Sequence, residues 1–153
     1  MKKAAVTIIT FVLVFLLSVT AFASQSLVDD SASLFSESEV AEITQQSADF
    51  SSETGLSLAV VTTDDTDGRT TEDFAEDYYD DLMNYRGWPE DGLMLIIDMD
   101  NREVFTSAVG NSWGYFSDSE ISYITDCGFE EVSQDEYAGA ISAMIDAASD
   151  SFS

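Results

Sequence analysis

The 153-residue chain has no histidine, one cysteine, one proline and five basic residues. Without histidine, imidazole-based catalytic triads and zinc sites with imidazole ligands are excluded. A single cysteine, Cys127, builds no internal disulfide framework, and its expected state is a buried, inert thiol. Two of the basic residues, Lys2 and Lys3, stand at the extreme N-terminus, so beyond them positive charge comes only from Arg69, Arg86 and Arg102. Neither a P-loop nor a Schiff-base lysine is then available to the body of the chain. What remains for acid–base or metal chemistry is carboxylate, hydroxyl and backbone.

Long apolar runs are also scarce, and the one present lies at the start. Lys2 and Lys3 precede an apolar stretch from Ala4 to Leu17, and Ala21-Phe22-Ala23 places small residues at −3 and −1 of a cleavage site. These are the three parts of a secretory signal peptide, expected over residues 1–23. Ala4 to Ala23 is also about long enough to span a bilayer, so an uncleaved anchor is the alternative, and only then would the protein be held in a membrane. The expected location is secreted or in the cell envelope.

Cleavage after Ala23 leaves 130 residues, the size of one domain with a hydrophobic core. All thirty acidic residues lie in this part, against three arginines, for a net charge of −27. Such a surface repels nucleic acid and anionic lipid and attracts cations. Frequent aromatics and regular apolar periodicity set the chain apart from acidic disordered sequences.

Helix and strand patterns alternate along residues 24–153. Ser36 to Glu39 has the spacing of a capping box, with Val40, Ile43 and Phe50 on one face of the helix that follows and Gly55 at its end. Leu56 to Thr63 reads as a strand. Thr70 or Thr71 opens a second helix with Phe74, Tyr78, Leu82 and Tyr85 at helical spacing. Gly92 to Ile97 is a continuous apolar run, as in a strand buried on both faces. Asp100-Asn101 supplies turn chemistry, and Arg102 to Val109 returns antiparallel. Ser117 and Glu120 predict a cap for a short helix, and Ser133 and Glu136 predict another. The last helix aligns Tyr137, Ile141, Ile145, Ala148 and Phe152. The pattern specifies an α/β fold, a three-layer α/β/α sandwich around a small mixed sheet, Rossmann-like in layering, with the two apolar strands parallel through the second helix.

Several segments, taken in order, resemble the TPM domain, a family named after a thylakoid-lumen phosphatase and its bacterial relatives. They are Val28 to Ser36 with Asp30 two residues before Ala32, Thr54-Gly55, Asp91-Gly92 leading the apolar strand, Arg102 and Gly110 bounding the next strand, and Tyr137 to Ile141. The resemblance covers nearly all of residues 24–153 and implies an α/β/α sandwich. It also implies acid phosphatase activity and calcium binding as found in plant-type members. Many relatives carry a glutamate shortly after the glycine of the third strand, where this chain has Asn111-Ser112-Trp113.

The densest candidate for cation binding is Thr62 to Gly68, where Asp64, Asp65 and Asp67 lie at the carboxyl end of the first predicted strand. Three carboxylates on a glycine-closed loop suit a hard cation such as calcium, although the spacing is not that of an EF-hand. The alternative is a solvated acidic turn that caps the second helix. Asp98-Met99-Asp100 resembles the Asp-x-Asp of haloacid-dehalogenase phosphatases, but lacks their following hydroxyl and lysine, and a hairpin turn accounts for it better. Chain topology places Asp30, the Asp64–Asp67 loop and the Asp98–Asn101 turn on one rim of the sheet, the rim where open α/β sheets bind ligands. Asp91, Gly110, Asn111, Ser112 and Trp113 are expected on the opposite rim. Two functions follow as expectations. One is an exported envelope module that binds calcium or another divalent cation, and a protein partner, without strong catalysis. The other is a metal-dependent acid phosphatase of the cell envelope.

Overall fold

The computed structural model describes residues 24–152, so the signal-peptide reading of residues 1–23 lies outside it. The chain runs β1 (Ser26–Asp30), α1 (Glu37–Thr54), β2 (Ser57–Thr63), α2 (Thr71–Arg86), β3 (Gly92–Asp98) and β4 (Glu103–Val109). A 3-10 turn (Gly110–Gly114) leads into α3 (Asp118–Val132) and α4 (Tyr137–Ser151). The strands lie side by side in the order β1-β2-β3-β4. The first three are parallel, and β4 returns antiparallel to β3. This is the α/β/α sandwich with a small mixed sheet that the pattern specifies.

Burial explains the layering. Every residue of β2 and β3 is buried, because helices cover both faces of the central pair. On one face, Leu58, Val60, Leu93, Leu95 and Ile97 pack with Ile43 and Phe50 of α1, Ile124 of α3, and Ile141 and Ile145 of α4. On the other, Ala59, Val61, Met94 and Ile96 meet Phe74, Tyr79 and Leu82 of α2. Three helices therefore cover one face and a single helix the other. β4 alternates, turning Val104 and Ala108 to the three-helix side and Phe105 and Val109 to the α2 side.

The helix ends follow local chemistry. Ser36 and Glu39 form a complete capping box on α1, as do Ser117 and Glu120 on α3. Thr70 caps α2, and Gly55 ends α1 in the left-handed region.

The structure departs from the sequence reading in four places. β1 was not anticipated: its five residues include only two apolar ones, Leu27 and Val28, and it is a half-buried edge strand held by parallel pairing to β2. Ser133 and Glu136 form no capping box, because α3 is not short. It runs to Val132, Ser133 ends it with its hydroxyl on the Glu130 carbonyl, and α4 starts at Tyr137, preceded by Glu136 without a side-chain cap. On α2 the buried tyrosine is Tyr79, while Tyr85 is 83% exposed in the final turn. Cys127 is half-buried at the edge of the core rather than fully enclosed.

Candidate functional site: the carboxyl-end rim

The sheet register assembles the rim. Asp30 stands opposite Thr62, Thr63 opposite Asp98, and Asp98 opposite Glu103, so the carboxyl ends of three parallel strands meet there. The rim thus brings Asp30, the Asp64–Asp67 loop and Asp98 to one edge, as the topology required.

Each carboxylate has a defined local task. Asp30 Oδ1 accepts from the Leu34 amide at 2.9 Å and the Thr62 hydroxyl at 2.6 Å, and Oδ2 accepts from the Phe35 amide at 2.9 Å. It closes the turn between β1 and α1, where Ser33 has a positive φ. Asp98 is 1% exposed. Its Oδ1 accepts from the amides of Asp100 and Asn101, and its Oδ2 from the Thr71 hydroxyl and the Asn101 side-chain amide. A buried carboxylate must be satisfied in this way. Asp65 Oδ1 accepts from the Asp67 amide at 2.8 Å, which closes the loop that Gly68 finishes at φ +75°. Asp64, Asp65 and Asp67 are all exposed.

Asp100 and Asn101, expected as turn residues of this rim, also tie it together through partners the sequence did not indicate. Asp100 Oδ2 lies 2.8 Å from the buried Thr66 hydroxyl and also accepts from the Thr66 amide, which holds the Asp100 carboxyl below its usual range. The Asn101 side-chain amide donates to the Arg69 carbonyl at 3.0 Å. The β3–β4 turn is thereby fastened to the loop after β2. Only the acceptor carboxylate of Asp100 and the donor side-chain amide of Asn101 signalled this in the sequence; their partners are more than 30 residues away.

Calcium takes six to eight oxygen ligands at about 2.3–2.6 Å. Among the described residues, no three carboxylates gather closely enough to hold a metal ion. The donors of Asp30, Asp98, Asp64, Asp65 and Asp67 therefore do not fit a preformed calcium cage. Beside the rim, a pocket of about 390 Å³ is bordered by Asp98, Arg102, Glu103, Phe129 and Tyr137. Arg102 holds a left-handed conformation in the β3–β4 turn. Of the other arginines, Arg69 pairs with Asp77 at 2.8 Å and lies over the Phe74 ring.

The opposite rim is built around Asp91. Its carboxylate accepts from the Asn111 amide at 2.8 Å and from the Asn111 side chain. Gly110 packs against this turn at φ +64°, and Trp113 beyond it is 55% exposed. Trp88, in contrast, is buried.

A four-stranded mixed sheet with three helices on one face, one on the other and an acidic rim at its parallel carboxyl ends defines a small α/β/α sandwich domain. The TPM domain profile matches residues 28–151, and the chain belongs to that family. It is similar to the UPF0603 protein YdjH of Bacillus subtilis (strain 168), with 27% identity over 147 residues. That match takes in 94% of this chain but 56% of YdjH, so the chain spans little more than half the length of that relative. The N-terminal domain of a P. gingivalis protein superposes with a TM-score of 0.68 at 23% identity, covering 81% of this chain and 80% of the other. The N-terminal domain of the cg2496 protein of Corynebacterium glutamicum gives 0.65 at 18% identity, with coverage of 86% and 82%. The BA42 protein of Bizionia argentinensis gives 0.66 at 13% identity, with 76% and 80%. These likenesses establish the fold.

Proposed function

We propose that this TPM domain is an exported module of the cell envelope that binds a protein partner, with calcium or another divalent cation acting at its acidic rim, and without strong catalysis. The observation that carries this reading is the state of Asp98. The buried carboxylate at the centre of the rim has both oxygens taken by four donors, so it serves the turn rather than standing free as a nucleophile or proton carrier. In this reading a cation would have to draw the exposed Asp64, Asp65 and Asp67 together on binding, since the three carboxylates are not gathered for a metal ion in the structure.

Envelope placement rests on the lysine–apolar–Ala-Phe-Ala pattern of residues 1–23. Within the described residues no helix is long and apolar enough to cross a membrane.

The alternative reading, a metal-dependent acid phosphatase, is favoured by Arg102, which lines the same pocket as Asp98. One experiment separates the two. Hydrolysis of a chromogenic phosphate ester is followed from acid to neutral pH with calcium, magnesium or chelator, for the unaltered protein and for Asp65→Asn and Arg102→Ala. The binding-module reading expects no turnover under any condition. Metal-dependent turnover lost in Arg102→Ala would establish the phosphatase instead.

A further inference from the structure

β4 is the outer strand of the sheet, paired with β3 on one side only. Among the described residues its backbone has no hydrogen-bond partner beyond β3. Natural edge strands are usually blunted by lysine, proline, a bulge or an inward charge. β4 has none of the first two, and from Val104 to Val109 it carries no charge at all. Six uncharged residues of regular edge, Val104 to Val109, are a template for another strand.

The layering makes that edge accessible. Four strands about 4.8 Å apart are wider than one helix of about 10 Å diameter. α2, alone on its face, lies over β3 and β4 but covers the α2 side of β4 only in part, leaving Phe105, Ser107 and Val109 half-buried. The result is a groove of about 350 Å³ between α2 and β4. Phe105 and Trp113 are among the residues that line it. The helical wall presents Glu72, Glu76 and Asp80, four residues apart and all exposed, and no lysine or arginine lines the groove.

We propose that this edge and groove dock an extended basic segment of a partner protein, which adds to β4 as a fifth strand. Alternate side chains of an added strand point to the α2 side. There, lysine or arginine stems lie over Phe105 and Trp113, and their charged heads reach Glu72, Glu76 and Asp80. The side chains between them continue the opposite face beside Val104, Thr106 and Ala108. The charge of the groove selects this occupant over a second copy of the chain, since edge-to-edge pairing would bring two acidic walls together. The proposal rests on the binding-module reading and names the kind of partner.

The test uses a fluorescent peptide of alternating lysine and valine, about as long as one strand. It is titrated into ¹⁵N-labelled protein recovered after expression of the full chain. The expected result is saturable binding with amide shifts concentrated in Glu103–Val109 and the Trp113 indole. Two controls are expected not to bind: a glutamate–valine peptide, and the lysine–valine peptide N-methylated on alternate amides so that it cannot pair. Glu72→Gln with Glu76→Gln and Asp80→Asn should weaken binding about tenfold or more. These positions are exposed, so the variant folds, and Trp113→Ala offers a second exposed test. Equal binding of the N-methylated peptide, with shifts scattered over the surface, would mean general attraction to a polyanion and overturn the assignment. Shifts in β4 that depend on protein concentration without peptide would assign the edge to a second copy and overturn it likewise. Phosphatase turnover in the assay above would sink the binding-module reading while leaving these β4 measurements unchanged, so the two failures are distinguishable.

Discussion

The hydroxyl of Thr71, the first residue of α2, lies 2.8 Å from Asp98 Oδ2 and 2.6 Å from Glu103 Oε2. One hydroxyl proton serves one acceptor at a time, so Thr71 is shared between two carboxylates and pins the start of α2 to the β3–β4 turn. Asp98→Ala would leave the part-buried Asp100 and Asn101 amides without their acceptor and the Thr71 hydroxyl with Glu103 alone. The expected cost is about 3 kcal/mol in urea unfolding. Asp98→Asn, which keeps an acceptor oxygen but places an NH₂ among donors, should fall between that variant and the unaltered protein. A cost below about 0.5 kcal/mol for Asp98→Ala would mean that the turn is held by other contacts.

Acid should expose the carboxylates that cap the structure. Glu39 is held below its usual range by the side chain and amide of Ser36, Glu120 likewise by Ser117, and Asp100 by Thr66. Lowered folded-state pKa values give stability that is present above the unfolded carboxylate pKa near 4 and lost as pH falls through the folded values. Relief of the repulsion within so acidic a chain acts the other way on acidification, so the measurement belongs in about 0.5 M sodium chloride, where screening suppresses it. Glu39→Ala and Glu120→Ala should be less stable than the unaltered protein at pH 7, and the gap should close below about pH 4. A gap independent of pH would show that the boxes act through something other than the ionised carboxylates.

The central strands and the rim were legible because their signals are local. The unbroken apolar run of β3, the Gly55 stop and two capping boxes each declare themselves within a few residues. From these the crossover rule fixes which aspartates share an edge. β1 was hidden because its evidence is non-local: Ser26 to Asp30 is a strand only through pairing with β2. The Ser133–Glu136 spacing mimics a cap, but Ser133 is consumed by the end of α3. At the rim, the sequence identifies the aspartates but not their donors. Thr62 and Asp30 are 32 residues apart, and Thr66 and Asp100 are 34 apart. Acidic clustering alone does not distinguish a carboxylate left free for a cation from one engaged in a turn.

Calcium and ionic strength are separable by melting. A ligand bound only by the folded state stabilises it by about 2.7 kcal/mol at a hundredfold excess over its dissociation constant. Screening alone depends on ionic strength and not on the identity of the cation. If the exposed loop holds calcium, the melting temperature should rise more with calcium than with sodium at matched ionic strength, and Asp64→Asn with Asp65→Asn and Asp67→Asn should abolish the excess. Equal shifts would leave only screening.

Two glycines fix the approach of strands at the opposite rim. A Cβ on Gly92 would lie 2.5 Å from the Ser57 carbonyl oxygen and 2.5 Å from the Tyr79 hydroxyl. One on Gly110 would meet the Asp91 carboxylate and lie 2.5 Å from the Glu90 carbonyl oxygen, at a φ that side chains rarely adopt. Gly92→Ala and Gly110→Ala should each destabilise by about 2 kcal/mol, through displaced backbone rather than lost contact. Gly114→Ala, with open space around the added methyl, is the control and should stay within about 0.5 kcal/mol.

The last prediction concerns the proposed export and the residue at which the processed chain would begin. Ser24, the residue after the expected cut, donates its hydroxyl to the Ser51 carbonyl at 2.7 Å, and the Gln25 amide bonds the Ser57 hydroxyl. The Gln25 carbonyl accepts from Leu58 at 2.9 Å, so the chain joins the sheet almost at once. Ser24 is thus part of the folded body, and a protease that needs an extended substrate on the carboxyl side of the cut has access before β1 docks rather than after. Intact-mass analysis of the exported fraction should give a chain beginning at Ser24. Replacing both small residues, Ala21→Leu with Ala23→Leu, should leave full-length protein in the membrane fraction, since the apolar run from Ala4 is retained without a cleavage site. Refolding before export should slow processing of the unaltered site, and a destabilised variant such as Gly92→Ala should be cut faster after the same treatment. Full-length mass from the unaltered protein in the membrane fraction would make the segment an anchor and overturn the prediction.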